Sequence, residues 1–161
     1  MQNYHMLNRP NREITDLSEI TGILKKGKYV IISMCRGNEP YIVTLSYGYD
    51  SENNALYFHC ATQGLKLDFL MENPQVCATV IEDGGYVPDE CGHLYKTAVF
   101  WGTMEILNDI EDKRYGIKVL LNHLESKPDI IDEKILKAEG RYARMAVLRL
   151  QITRIHGKSG R

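Results

Sequence analysis

The chain has 161 residues, with 20 basic and 21 acidic side chains, a formal net charge of −1 and four cysteines. That length fits one domain, residues 1–161 with a core over about 15–155, large enough to bury a real interior. The balanced charge excludes a global field for drawing in nucleic acid or an anionic membrane, which leaves a small ligand or a protein partner.

The first residues, MQNYHMLNRPNR, lack the apolar run of a signal peptide, and the longest apolar stretch, Tyr29 to Ile32, is far short of a bilayer span. A soluble, cytoplasmic protein is expected. Cys35, Cys60, Cys77 and Cys91 fit neither a CxxC metal knuckle nor a dense disulfide scaffold, so reduced thiols are expected.

Thr15 or Asp16 can cap a first helix, since Asp16 followed by Glu19 makes a capping pair; its apolar face is Leu17, Ile20 and Leu24, and Gly27 ends it. KYVIISMC (28–35) and YIVTLSYG (41–48) are β-branched and aromatic runs separated by RGNEP, the pattern of a hairpin. A turn over 50–54 leads into a strand over 55–61. A short helix follows, with Leu67, Leu70 and Met71 on one face and Asn73-Pro74 as its stop.

VCATVIE (76–82) reads as a strand, and DGGYVPDECGH, with three glycines and a proline, as an irregular loop. A long strand resumes over 95–107, in which Gly102 marks a bulge or a close backbone approach. Asn108 with Glu111 starts a helix carrying Ile117, Leu120, Leu121 and Leu124 at helical spacing, ended by Ser126 and Pro128. A polar stretch with Ile130, Ile131, Ile135 and Leu136 reads as a short helix or ordered loop. In the last strand Ala146, Leu148, Leu150 and Ile152 alternate with Arg149, Gln151 and Thr153, giving one buried face. Six strands with two inserted helices, and no β-α-β alternation, predict a mainly β fold: an antiparallel, Greek-key-like barrel.

Chemistry concentrates in ALYFHCATQGLKLDFLMENP (55–74). Thr62, Gly64 and Lys66 stand where a strand turns into a helix, and a helix N-terminus with a lysine suits a phosphate. The plain reading stands beside it: Thr62 as an N-cap, Gly64 as a turn, Lys66 as a solvated side chain. His59 is either a satisfied strand histidine or a proton donor. Cys91-Gly-His93 with His59 and Cys60 supports a metal site poorly, and none is expected. Trp101 and Tyr95, Tyr57, Tyr47 and Tyr49 could stack on a ring or fill the core.

The ordered set PYIVTLSYGYD, YFHCATQGLKLDFLMENPQVCATV, TAVFWGTMEIL and the helix from Glu111 to Leu124 resembles the FMN-binding split-barrel family typified by pyridoxamine 5′-phosphate oxidase. It is most similar to the nitroimidazole-reductase-like branch. The resemblance implies a split β-barrel that binds FMN, with Val43, Thr44, Leu45 and Ser46 along the flavin ring. It further implies that His59, Cys60, Ala61, Thr62, Gly64 and Lys66 hold the ring edge, ribityl chain and phosphate, with Lys66 the charge partner and His59 catalytic.

Thr97 and Trp101 correspond to a strand that approaches the flavin from the second subunit of a homodimer. Two departures matter: Leu65 stands where the oxidase has a basic residue, and Arg154-Ile155-His156 keeps only an echo of the oxidase's Arg-x-His. The implied activity is a flavin-dependent oxidoreductase of nitroreductase or flavin-reductase type. With no GxGxxG fingerprint, NAD(P)H would serve only as a transient donor. The alternative is a non-catalytic flavin- or haem-binding sensor or carrier.

Overall fold

A computed structural model describes residues 10–131 and 139–160. Strands β1 (Glu13–Ile14), β2 (Tyr29–Arg36), β3 (Glu39–Ser46), β4 (Gly48–Asp50), β5 (Ala55–Cys60), β6 (Gln75–Val87), β7 (Gly92–Leu107) and β8 (Ala146–Gly160) form one sheet, and the described residues pair antiparallel throughout. Helices α1 (Leu17–Lys26), α2 (Leu65–Glu72), α3 (Ile110–Leu124) and α4 (Pro128–Ile131) interrupt it.

The strand order is β3-β2-β6-β7-β8-β5-β4, with β1 on β8. β3 and β4 stand at opposite ends of that order, yet only Tyr47 separates them in sequence. Two residues of extended chain reach about 7 Å, so the sheet must curl until its ends meet. That closure makes the antiparallel barrel.

Alternation fills it. Val30, Ile32 and Met34 on β2, Ala78 and Val80 on β6, Ala98 and Phe100 on β7, and Leu148, Leu150 and Ile152 on β8 point inward into one cluster. Helix α1 adds Ile20, Ile23 and Leu24 to it. Of the two candidate caps, Thr15 and Asp16, it is Asp16 that caps the helix, accepting from the Ser18 amide at 2.8 Å. Its other end is held by the Tyr47 hydroxyl, which donates to the Leu24 carbonyl at 2.7 Å, and burial pushes the Tyr47 phenol well above its usual pKa.

A second, smaller cluster lies outside the barrel. There α3 packs Ile117 and Leu121 against Ala55, Tyr57 and Val147. The strands β5 and β8 are therefore apolar on both faces near their shared end, which is why the alternation read from β8 has Val147 buried as well as Leu148.

Several expectations need correction. Residues 83–93 are not an irregular loop: β6 and β7 continue through them as a hairpin, from Asp83↔Tyr95 to Val87↔Gly92. The glycines serve a bulge, with Gly85 at φ +89° and its amide bonded to the Asp83 carboxylate at 2.8 Å. The cap of α3 is Asp109 rather than Asn108, accepting from the Glu111 and Asp112 amides.

Among the described residues there are eight strands rather than six, because β1 and β4 are too short to carry a periodicity. On α2, Met71 is exposed, and Phe69 fills the core beside Leu67 and Leu70. Gly102 shows the expected irregularity: the β7–β8 register shifts after Trp101, and a Cβ at Gly102 would collide with the Gln151 carbonyl. Of the stretch after α3, Ile131 closes α4, whereas Ile135 and Leu136 lie outside the described residues.

Candidate functional site

The curled sheet has a gap. Beyond the corner at Tyr47, β3 runs back along β2 and β5 runs along β8. The β4–β5 ladder pairs Gly48 with Tyr57. Continuing its register would set Ser46 opposite His59, Leu45 opposite Cys60 and Thr44 opposite Ala61. Among the described residues no such ladder forms: β3 pairs only with β2, and β5 beyond Tyr57 pairs only with β8. The facing edges of β3 and β5 thus present backbone donors and acceptors with no strand partner, a feature that demands water or a ligand.

Side chains sort by parity along these edges. Val43, Leu45 and Cys60 turn inward and pack against the main core, whereas Thr44, Ser46, His59 and Ala61 are exposed. Burial pushes the Cys60 thiol above its ordinary pKa, and the Lys66 ammonium pulls it partly back. Cys60 and Lys66 are therefore neighbours, across the turn that joins β5 to α2.

That turn leaves the start of α2 without a side-chain cap. Gly64 is the N-cap of α2 at φ 142° and ψ 162°, with no side-chain cap bond. Thr62 does not cap the helix. The Leu67 amide bonds the Gly64 carbonyl at 2.8 Å, no side chain caps the helix, and its first turn carries the acidic Asp68. A Cβ at Gly64 would meet nothing within 4 Å, so glycine is required there by the backbone angle and not by crowding. The first turn carries Lys66, half-buried, beside the exposed Leu65.

Helix α2 is anchored through Phe69, whose ring lies 5.1 Å from that of Tyr41 and 4.5 Å from the Arg36 guanidinium. Neither contact was legible from spacing, since Tyr41 and Arg36 belong to a different hairpin.

Thr97 and Trp101 lie elsewhere. They sit on the outer face of β7, three strands from β3, about 14 Å at ordinary strand spacing. The Arg154 guanidinium lies 3.9 Å over the Trp101 ring, and His156 meets that ring edge-on at 5.9 Å. His93 pairs with Asp83 at 2.7 Å. Tyr47 and Tyr57 are buried in the two cores, so neither faces a ligand.

A sequence model of the family described as pyridoxamine 5′-phosphate oxidase matches residues 16–159. The chain belongs to that family. No curated protein matches it. Solved structures share its fold: a candidate 5-nitroimidazole antibiotic resistance protein from Bacteroides thetaiotaomicron superposes with a TM-score of 0.79 at 22% identity, over 92% of this chain and 86% of that one.

A FAD-binding protein from Mesorhizobium loti gives 0.67 at 22% identity, over 92% and 96% of the two chains. The FAD and haem binding protein from Mycobacterium smegmatis gives 0.76 at 19%, over 92% and 73%. The split-barrel architecture expected for this family is the one observed.

Proposed function

We propose that the chain binds the flavin mononucleotide unit along the diverging β3 and β5 edges and works as an oxidoreductase on a small acceptor. The observation that carries this reading is the pair of unpaired edges meeting the uncapped first turn of α2 in a member of this family. Flavin supplies reversible electron uptake that no side chain offers.

The backbone of Val43, Thr44, Leu45 and Ser46 would hydrogen-bond the ring, with the Thr44 and Ser46 hydroxyls adding to it. Ala61 and Thr62 would flank the ribityl chain. The amides after Gly64 and the Lys66 ammonium would hold the phosphate. His59 would hold a proton at its imidazole for delivery to the acceptor. NAD(P)H is the natural class of donor, meeting the ring transiently.

The site is completed in this proposal by a second copy of the chain, which brings Thr97 and Trp101 to the cleft. The outer sheet face suits such contact: Tyr29 is 66%, Ile42 64% and Ile81 50% exposed there. The relatives described as binding FAD and haem support a second reading, a non-catalytic carrier of flavin or haem.

Purified protein should show visible flavin bands that bleach with NAD(P)H and return with a nitroaromatic or quinone acceptor. Bands that never bleach would favour the carrier. A colourless protein that gains no bands with added FMN would remove the flavin reading.

A further inference from the structure

Helix α2 carries the proposed phosphate anchor at its start and is held to the β2–β3 hairpin through its later turns. The Arg36 guanidinium, at the end of β2, pairs with Glu39 of β3 at 2.9 Å and with Glu72, the last residue of α2, at 3.5 Å. It also lies 4.5 Å over the ring of Phe69, which is fully buried in the main core and stands 5.1 Å from the Tyr41 ring of β3. Beside it the Asn73 side chain, at the C-cap of α2, donates to the Cys35 carbonyl at 2.9 Å.

We infer that Arg36 is a positioning residue for the phosphate anchor, seating α2 against the β2–β3 hairpin so that the two halves of the flavin cleft keep one fixed spacing. The inference rests on the flavin reading above and adds a residue that this reading leaves without a role.

The ring half of the proposed cleft is the β3 edge over residues 43–46, and the phosphate half is the turn at Gly64 with Lys66. Among the described residues β3 pairs with β2 alone, so no ladder sets the distance between the halves. A helix of eight residues is about 12 Å long. A clamp on Phe69 and Glu72 therefore decides where Lys66 stands. A guanidinium suits that task, because its planar fork bonds carboxylates while its face lies on a ring, a combination that an ammonium does not offer.

Charge adds to the same effect. Asp68 stands in the first turn of α2, where a carboxylate opposes a bound phosphate. The charges of Glu39, Glu72 and Asp68 all act on Arg36 and hold its pKa up, with the Glu39 hydrogen bond the foremost cause. Arg36 thus offsets negative charge on the helix that has to receive an anion.

A ligand that spans both halves senses their spacing, and one that ends before the phosphate does not. The test is titration of apo-protein with FMN and with riboflavin, read by flavin fluorescence and calorimetry, for the wild type, Arg36→Gln, Arg36→Lys and Asn73→Ala. The wild type should bind FMN more tightly than riboflavin. Arg36→Gln should weaken FMN by about tenfold or more, with riboflavin affinity held within about twofold. Arg36→Lys, which keeps the charge and loses the fork, and Asn73→Ala should each weaken FMN by about threefold or more.

Unchanged FMN affinity in Arg36→Gln, an equal loss for riboflavin, full recovery in Arg36→Lys, or equal wild-type affinity for the two ligands overturns the positioning role and leaves flavin binding intact. Binding of neither ligand by the wild type overturns both. The Arg36 side chain is 30% exposed, and Asn73→Ala carries the test even if Arg36→Gln does not fold.

Discussion

Two parts of the barrel use the same material differently. The β6-β7-β8 wall is fully paired: β7 holds partners from Gly92 to Thr103 on one side and from Tyr95 to Leu107 on the other. Its inward residues, such as Phe100 and Leu150, have no solvent exposure. The β3 and β5 edges instead diverge, leave backbone groups without strand partners, and end beside a helix with no side-chain cap. On the proposed function, stability is concentrated in the wall and binding capacity in the gap, because a hydrogen-bonding group already used in a ladder cannot serve a ligand.

Substitutions should separate the two roles. Phe100→Ala, in the wall, should cost about 3–5 kcal/mol of folding stability in urea denaturation, from lost burial and a cavity. Its flavin affinity, measured where the variant is still folded, should stay near wild type. Lys66→Ala should do the converse, weakening flavin binding by about tenfold or more with the urea midpoint little changed. If Lys66→Ala leaves binding untouched, the anchor is misassigned.

Smaller effects probe the corner between the regions. Asp50, 7% exposed, accepts from the Glu52 and Asn53 amides, the Asn53 side chain and the Tyr115 hydroxyl, the last at 2.7 Å. Burial alone would raise its pKa; the hydrogen bonds from Asn53, Tyr115 and the Glu52 amide outweigh that and bring it below the ordinary value.

A depressed carboxyl stabilises the fold fully above the unfolded value, about 3.9, and loses that contribution as pH falls through the folded one. Wild-type stability should therefore drop below about pH 4, and Asp50→Asn should flatten that limb. Tyr115→Phe should cost about 1 kcal/mol at neutral pH, discounted because Tyr115 is 44% exposed. Gly64→Ala should cost about 1 kcal/mol or somewhat more through its backbone angle, with flavin affinity falling further than stability.

The wall was the more legible part of the sequence. Strict alternation over Ala146 to Thr153 and the β-branched runs at 28–35 and 76–82 specify strands locally. The cap at Asp16 and the helix spacing of Ile117, Leu120 and Leu121 did the same for α1 and α3. The hairpin over 83–93 is not legible in the sequence because its glycines and proline signal a loop, while the pairing that makes it a strand comes from residues between 5 and 12 positions away, from Val87↔Gly92 to Asp83↔Tyr95.

The gap was legible only in part. Gly64 and Lys66 carry a local signal, but nothing in β3 or β5 taken singly says that they fail to pair. That failure follows from closure of the whole sheet, as do the Tyr41–Phe69 and Arg36–Phe69 contacts that seat α2.

Hydrogen exchange of backbone amides, with and without saturating flavin, tests the division of labour most directly. Exchange should slow at residues 43–46 and 59–66 on binding, with the inner amides of β7 and β8 already slow and unchanged. Protection that appears only in the β6-β7-β8 wall, with those two segments unaffected, would contradict it.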